Sequence, residues 1–420
     1  MEAFPPLSNP VAQKKWADIK AQLEAMKADD CDWRDGKVPG YTYKMGDDLD
    51  YVIREAYQLY FGENALGRNA FKSVTKLEES IVAFCLRLFG HDNTGAGIFT
   101  SGGTESIFLA VKSAREWAKR NKPGVTKPNI VMPVSAHAAF GKATYYMGLE
   151  SRRVPLGAEY RGNIEGLRAT IDDNTIMIVG SAPAYAHGNF DNMEAIGELA
   201  GAHKLWFHVD ACLGGFVAPF VKRLGYPIPV FDFSVPQVTS LSADLHKYGY
   251  APKGSSVLLY RTPEHKDCAR FTFREWPRGL YQTYTFLGSR PAGPLAGSFA
   301  AINFLGEEGY LDAARVMMSI KNKLVAGIGA IDGLRVYKPS DLIILLYDSV
   351  DPAVDINAVA EEMRKRGWFV GVVADPVTIS FPINPIHEKS VDRYLEDLRA
   401  CVGLVRASGK TASYDEATYT

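Results

Sequence analysis

Between residues 75 and 261 the chain alternates helical periodicity with short apolar runs, and this alternation limits the folds open to it more than any other feature. The pattern predicts helices over 75–89, 104–120, 137–147, 163–171 and 191–202, and strands over 129–133, 151–156, 175–181, 204–210, 237–242 and 255–261. Repeated strand–helix units imply an α/β fold with a mostly parallel sheet covered on both faces. After a helix around 293–307 and Gly309 the order changes. There the pattern predicts helix 311–331, strands 334–338 and 341–348, helix 355–366, strand 376–382 and helix 388–406, a smaller α+β domain. Ahead of the alternation, Val11, Trp16, Ile19, Leu23 and Met26 fall near one face of a helix over 11–27, and a second helix is expected over 48–60. The glycines and proline of Gly36-Lys-Val-Pro-Gly-Tyr-Thr-Tyr43 imply an extended loop that can reach a site. The expected organisation is a helical arm and entrance loop over 1–70, a large domain over 71–310, an α+β domain over 311–410 and a mobile tail over 411–420.

Bulk properties remove whole classes of partner. The chain's 47 basic residues nearly cancel its 48 acidic ones, so it carries no electrostatic footprint for nucleic acid or an anionic membrane. Small molecules are the expected partners. Cys31, Cys85, Cys212, Cys268 and Cys401 are scattered with neither pairing nor metal-ligand spacing, which fits reduced thiols in a cytoplasm and no metal site. The first residues lack a basic, then apolar, leader, and no run of about 18 apolar residues occurs, so no export and no membrane span are expected.

Three stretches carry chemistry. In Thr100-Ser-Gly-Gly-Thr-Glu105, Gly102 and Gly103 let backbone amides converge at the start of an amphipathic helix, and Thr104 adds a hydroxyl. That is a phosphate cradle, although the same residues also serve simply to cap a helix. In Trp206-Phe-His-Val-Asp-Ala211 an apolar strand ends in a carboxylate, and ligands of parallel sheets lie beyond the carboxyl ends of strands. Asp210 is therefore placed to meet a ligand, the plainer alternative being a turn cap. In Ser240-Leu-Ser-Ala-Asp-Leu-His-Lys-Tyr-Gly-Tyr-Ala-Pro-Lys-Gly254, Lys247 stands at a strand exit among aromatic and small residues, a setting expected to desolvate its amine, lower its pKa and favour a Schiff base. The alternative for a lone lysine is a solvated face. Together these are the parts needed to hold pyridoxal 5'-phosphate, with Asp210 keeping the pyridine nitrogen protonated. His137, in Ser135-Ala-His-Ala-Ala-Phe140, is either a ring-stacking partner or the cap of its own helix.

On these motifs, together with Gly288-Ser-Arg-Pro-Ala-Gly293, the chain resembles the sphingosine-1-phosphate lyases of the group II pyridoxal-dependent decarboxylase family, over roughly residues 36 to 310. The resemblance implies fold type I, with a seven-stranded, mostly parallel sheet in the large domain. It implies that Lys247 is the Schiff-base lysine, Asp210 the ring-nitrogen partner and His137 the stacking residue. Gly103, Thr104 and His246 would hold the cofactor phosphate. Gly288 and Ser289 would reach the phosphate of a partner subunit's cofactor, making an obligate homodimer with shared sites. Tyr43 and Lys253 match positions that contact a substrate phosphate. The sequence departs from the family in two places. Asn64-Ala-Leu-Gly-Arg-Asn69 stands where the family commonly has Asn-Pro-Leu-His-Pro-Asp, so Gly67 replaces an imidazole and Arg68 follows it. Pro277-Arg-Gly-Leu-Tyr281 puts the cation of Arg278 where the family tends to have two glycines.

Two chemistries are open to such a site, because the bond held perpendicular to the cofactor ring is the one that breaks. Retro-aldol cleavage of a β-hydroxy amine needs a base for the hydroxyl proton. Amino-acid decarboxylation needs a cation such as Arg278 or Arg68 for the carboxylate. A catalytically silent dimer that uses the fold only for binding is the third reading.

Overall fold

Strands covered on both faces should be buried along their whole length, and the central strands are: Asn129–Pro133, Thr175–Ser181 and Trp206–Asp210 are buried throughout, mostly through apolar side chains. The computed structural model describes residues 9–412 except 68, 93, 338 and 339. Seven strands, β1 (Ala96–Thr100), β2 (Asn129–Pro133), β3 (Glu150–Val154), β4 (Thr175–Ser181), β5 (Trp206–Asp210), β6 (Ser240–Ala243) and β7 (Ser256–Tyr260), form one sheet in the order β1-β7-β6-β5-β4-β2-β3. Strands β3, β2, β4, β5 and β6 run parallel, and only β7 pairs antiparallel with its neighbours. Helices fill both faces, so large aromatics such as Trp206, Phe207, Phe140 and Tyr260 are fully buried. Each contributes about 1.5–3 kcal/mol through burial.

The smaller domain carries a four-stranded antiparallel sheet in which Ile344–Ser349 and Val377–Pro382 are central and Leu334–Val336 and Gly371–Ala374 lie at the edges. The fold is thus the α/β class expected, with its smaller α+β domain. Several elements differ from the sequence reading. Strand β1 was not anticipated, because Gly95 and Gly97 make 96–100 read as loop. A Cβ at Gly97 would lie 2.7 Å from Val82 Cγ1, so glycine is needed there to let the helix Lys72–Leu88 cross the strand. The helix break expected at Gly309 falls instead at Gly306 (φ 57°, ψ −165°), inside a helical run Gly293–Gly329. The edge strand Gly371–Ala374 and the hairpin Phe271–Phe273 with Tyr281–Thr283 were also unread, being short and rich in exposed or half-buried residues. The first helix, Pro10–Met26, forms as expected but buries none of its residues.

The loops leaving β4 and β5 touch. A Cβ at Gly214 would lie 2.4 Å from the Ala182 carbonyl oxygen, and the Ala182 amide donates to the Asp210 carbonyl at 2.8 Å. Gly214→Ala is therefore expected to cost about 1–3 kcal/mol in urea unfolding by overpacking. Gly124→Ala, with nothing within 4 Å of the added Cβ, is expected to stay within about 0.5 kcal/mol of the parent.

Candidate active site

Parallel pairing of β5 with β6 puts Asp210 and Ser242 in register at the carboxyl edge of the sheet, so the loop after β6 begins beside the carboxylate. That loop folds back tightly: the His246 amide donates to the Ser255 carbonyl and the Ala251 amide to that of Leu245, both at 3.0 Å. A Cβ at Gly249 would sit 2.6 Å from the Leu245 oxygen, which accounts for the glycine after Lys247-Tyr248. The Tyr248 hydroxyl donates to the Ile383 carbonyl at 2.8 Å, fixing the loop to the smaller domain.

Lys247 does not stand alone in this loop. Its Nζ lies 3.0 Å from Asp244 Oδ2, and the Asp244 side chain is 2% exposed. Burial opposes the charge on Lys247, but the Asp244 carboxylate outweighs it and holds the amine's pKa well above its ordinary value. This corrects the sequence expectation of a lowered pKa, which left out a carboxylate one helical turn away. Burial likewise opposes the charge on Asp244, and Lys247 and His246 overcome it to hold the carboxyl well below the usual range.

Asp244 in turn lies under the start of the helix Gly103–Asn121. A Cβ at Gly103 would be 2.8 Å from Asp244 Oδ2 and 3.0 Å from Cys212 Sγ. Only glycine permits that approach, and the helix N-terminus with its first-turn amides thereby reaches the same space as His246, whose ring lies 3.4 Å from a Cβ placed on Gly102. Thr104 is exposed at that end. Asp244 Oδ1 is buried without a hydrogen-bond partner among the described residues. Glycine at the closest approach, an exposed hydroxyl and an imidazole beside a buried amine fit a phosphate-bearing aldehyde such as pyridoxal phosphate.

A second cation adjoins the first. Lys253 Nζ lies 4.8 Å above the centre of the Tyr43 ring and donates to the His246 carbonyl at 3.2 Å. Burial first, and then the charge of Lys247, push its pKa down to about 8. Tyr43 packs edge-on against Tyr248 at 4.8 Å. His137 is the N-cap of the helix Ala138–Met147, its Nδ1 accepting from the Ala139 amide at 3.1 Å. Capping thus fixes its ring beside the site, where burial lowers its pKa and Asp210 acts in the opposite direction. A cavity of about 680 Å³ opens beside His137, with Arg153, Tyr160, Tyr185, His187 and Asp375 in its walls.

Lys247, Asp210, His137, His246, Gly103, Thr104, Tyr43 and Lys253 therefore converge around one space. Gly288 and Ser289 are held elsewhere in the chain: Ser289 Oγ accepts from Asn64 Nδ2 at 3.0 Å, and a Cβ on Gly288 would meet Tyr281 and Leu66. Arg278 is exposed in the turn of the 271–283 hairpin, and Arg68 lies outside the described residues. The sequence reading missed Asp244, whose signal was an acid three positions before Lys247. It also missed Glu105, which is buried and accepts from the Ser101 amide at 2.7 Å and the Phe286 amide at 2.8 Å, tying the cradle to the segment that leads to Gly288. Among the described residues no helix is long and apolar enough to cross a membrane, and no cluster of side chains could hold a metal ion.

Residues 43–273 match the model described as the pyridoxal-dependent decarboxylase conserved domain. The chain belongs to that family. It is 41% identical over 399 residues to a sphingosine-1-phosphate lyase of Arabidopsis thaliana, covering 93% of this chain and 73% of that protein. The solved structure of a Burkholderia pseudomallei sphingosine-1-phosphate lyase superposes with a TM-score of 0.87 at 33% identity, covering 97% of this chain and 94% of that one. A Methanothermobacter thermautotrophicus protein named "Probable L-tyrosine/L-aspartate decarboxylase" is 31% identical over 349 residues, or 83% of this chain and 93% of that protein. The chain is accordingly a pyridoxal-phosphate-dependent lyase of fold type I.

In the cofactor-free protein the Asp244 carboxylate is what keeps Lys247 charged. With Asp244→Asn the largest influence opposing burial is lost and the amine's pKa falls. Acylation of Lys247 in a buffer near pH 8, followed by mass spectrometry, is expected to accelerate about tenfold for each unit of that fall. An unchanged rate would rule out the ion pair as the controlling interaction.

Proposed function

We propose that this lyase cleaves a carbon–carbon bond of a β-hydroxy amine by retro-aldol chemistry, with phosphorylated amines like the one named for its plant and bacterial relatives as leading substrates. The reading is carried by the second cation, Lys253, held over Tyr43 close to the Lys247 amine: one amine for the cofactor aldehyde and another for an anionic end of the substrate. Pyridoxal phosphate, when bound, supplies a protonated pyridine ring that accepts the electrons of the breaking bond. In this reading Lys247 holds the aldehyde, Asp210 anchors the ring nitrogen and His137 packs against the ring. Gly103, Thr104 and His246 hold the phosphate, while Tyr43 and Lys253 bind the substrate's own phosphate. The cavity beside His137 receives the rest of the substrate.

Gly288 and Ser289 join the site from a partner subunit, in a homodimer with shared sites. The first helix supports this assembly, since Val11, Trp16, Ile19, Leu23 and Met26 along it are all exposed in a single chain and a second copy would cover them. The five cysteines are free, which suits a cytoplasmic protein. The boundaries near 70, 310 and 410 are our division of the chain. Amino-acid decarboxylation is the second reading, favoured by the Methanothermobacter relative, with the exposed Arg278 as the available carboxylate partner.

Purified protein given pyridoxal phosphate is expected to gain a visible absorbance band that Lys247→Ala abolishes, and to release an aldehyde from a phosphorylated β-hydroxy amine. Carbon dioxide from an amino acid, with no aldehyde from any such amine, would overturn the first reading in favour of the second. Lys253→Met should raise KM for the phosphorylated substrate about tenfold or more, the loss of one hydrogen bond to a charged group. Since burial holds the Lys253 pKa below its ordinary value, the KM of the parent enzyme should climb as rising pH takes the proton from Lys253, and the variant's should not.

A further inference from the structure

Side chains of a strand alternate between faces, so Trp206, His208 and Asp210 of β5 share one face, and Ser240 and Ser242 of the neighbouring β6 lie opposite His208 and Asp210. These five residues form an unbroken hydrogen-bonded chain. Trp206 Nε1 donates to Ser240 Oγ at 2.8 Å; Ser240 Oγ is 2.8 Å from His208 Nδ1; His208 Nε2 is 3.2 Å from Ser242 Oγ; and Ser242 Oγ donates to Asp210 Oδ1 at 3.5 Å. Ser240, His208 and Ser242 are fully buried.

Proton counting gives the chain one direction. An indole N–H can only donate, so Ser240 receives a proton from Trp206. The hydroxyl of Ser240 has one proton of its own, and His208 Nδ1 is the acceptor within reach; turned elsewhere, that proton would be buried unpaired, at a cost comparable to a lost hydrogen bond. His208 Nδ1 is then the bare nitrogen and Nε2 carries hydrogen, which it gives to Ser242. Ser242 also receives the Cys212 thiol at 3.3 Å, which leaves its own proton to go to Asp210. Burial pushes the pKa of His208 down to about 4, so the ring stays neutral and keeps this single-proton arrangement at ordinary pH.

We propose that Trp206 and His208 are positioning residues for the cofactor: the donor-only indole orients the chain so that Asp210 always receives the Ser242 proton. With the Cys212 amide, which donates to the same oxygen at 3.1 Å, Asp210 Oδ1 then has two donors. Hydrogen bonds to a carboxylate favour its charged form, the form needed opposite a protonated pyridine nitrogen. The inference rests on the assignment of Asp210 to that nitrogen, but its first test does not.

The first test is heteronuclear NMR of the histidine rings in cofactor-free protein, with His208 assigned by loss of its signals in His208→Gln. A Nε2–H tautomer is expected throughout the range from about pH 6 to about pH 8, and Trp206→Phe, which keeps the aromatic packing, should let the Nδ1–H form appear. A Nδ1–H tautomer in the parent protein, or a tautomer indifferent to Trp206→Phe, overturns the relay. The second test is the pH profile of pyridoxal phosphate affinity. His208→Leu should weaken binding about tenfold at the acid end of that profile. His208→Gln, which keeps a donor toward Ser242, should largely restore it. Equal profiles for the Leu and Gln variants would reduce His208 to a packing residue and overturn the proposal. Parent protein that binds no pyridoxal phosphate would instead overturn the functional reading, and with it the purpose of the relay, while leaving the tautomer result to stand.

Discussion

A single buried carboxylate organises this site. Asp244 takes the charge of Lys247 on one side and lies under the glycine start of a helix on the other. Unpaired, either charge would be costly in such a place. Paired, they hold the loop after β6 in a form in which His246 lies beside Asp244 and Lys253 reaches the His246 carbonyl. The glycines at 103 and 249 follow from that arrangement, because each marks a point where backbone must pass close to another atom of the same loop or cluster. Most of what the site can do is a consequence of this compact loop meeting the helix.

The second organising constraint is the sheet itself. Parallel β4, β5 and β6 end together, so their loops open on one edge, where ligands of such sheets lie. Asp210 gains one neighbour from the same pairing, since Ser242 is one strand away in space and about thirty positions away in sequence, and another from the Cys212 amide two residues further along its own chain. The smaller domain contributes through Tyr248, whose hydroxyl on the Ile383 carbonyl couples the lysine loop to the second sheet.

The two lysines illustrate how environment divides the work between identical side chains. Desolvation of the amine pulls both pKa values down. Lys247 has a carboxylate at 3.0 Å and goes up; Lys253 is left to desolvation and a neighbouring cation, and goes down to about 8. A difference of this kind suits one amine to a covalent attachment and the other to an anion held by charge.

Much of this was legible in the residues. The alternation from 75 to 261 determined a parallel α/β sheet, because the periodicities of strand and helix are local and survive without knowledge of neighbours. The glycine-rich turn before 104, the strand-end Asp210 and the loop Lys247 were readable because each has a local pattern that few other structures require. Strand β1 was not, since the reason for its glycine is a helix that crosses it, and neither was the break at Gly306, where two nearby glycines offered the same local signal. The sign of the Lys247 shift could not be read either: the sequence shows that Asp244 is near in the chain, but only the turn after β6 brings the two groups to 3.0 Å. The direction of the proton chain into Asp210 is likewise tertiary, since it depends on which hydroxyls of β6 face which atoms of β5. Sequence by itself determined the elements and the kinds of reactive groups; the folded structure decided their charges, because charge in a buried site depends on distances between residues far apart along the chain.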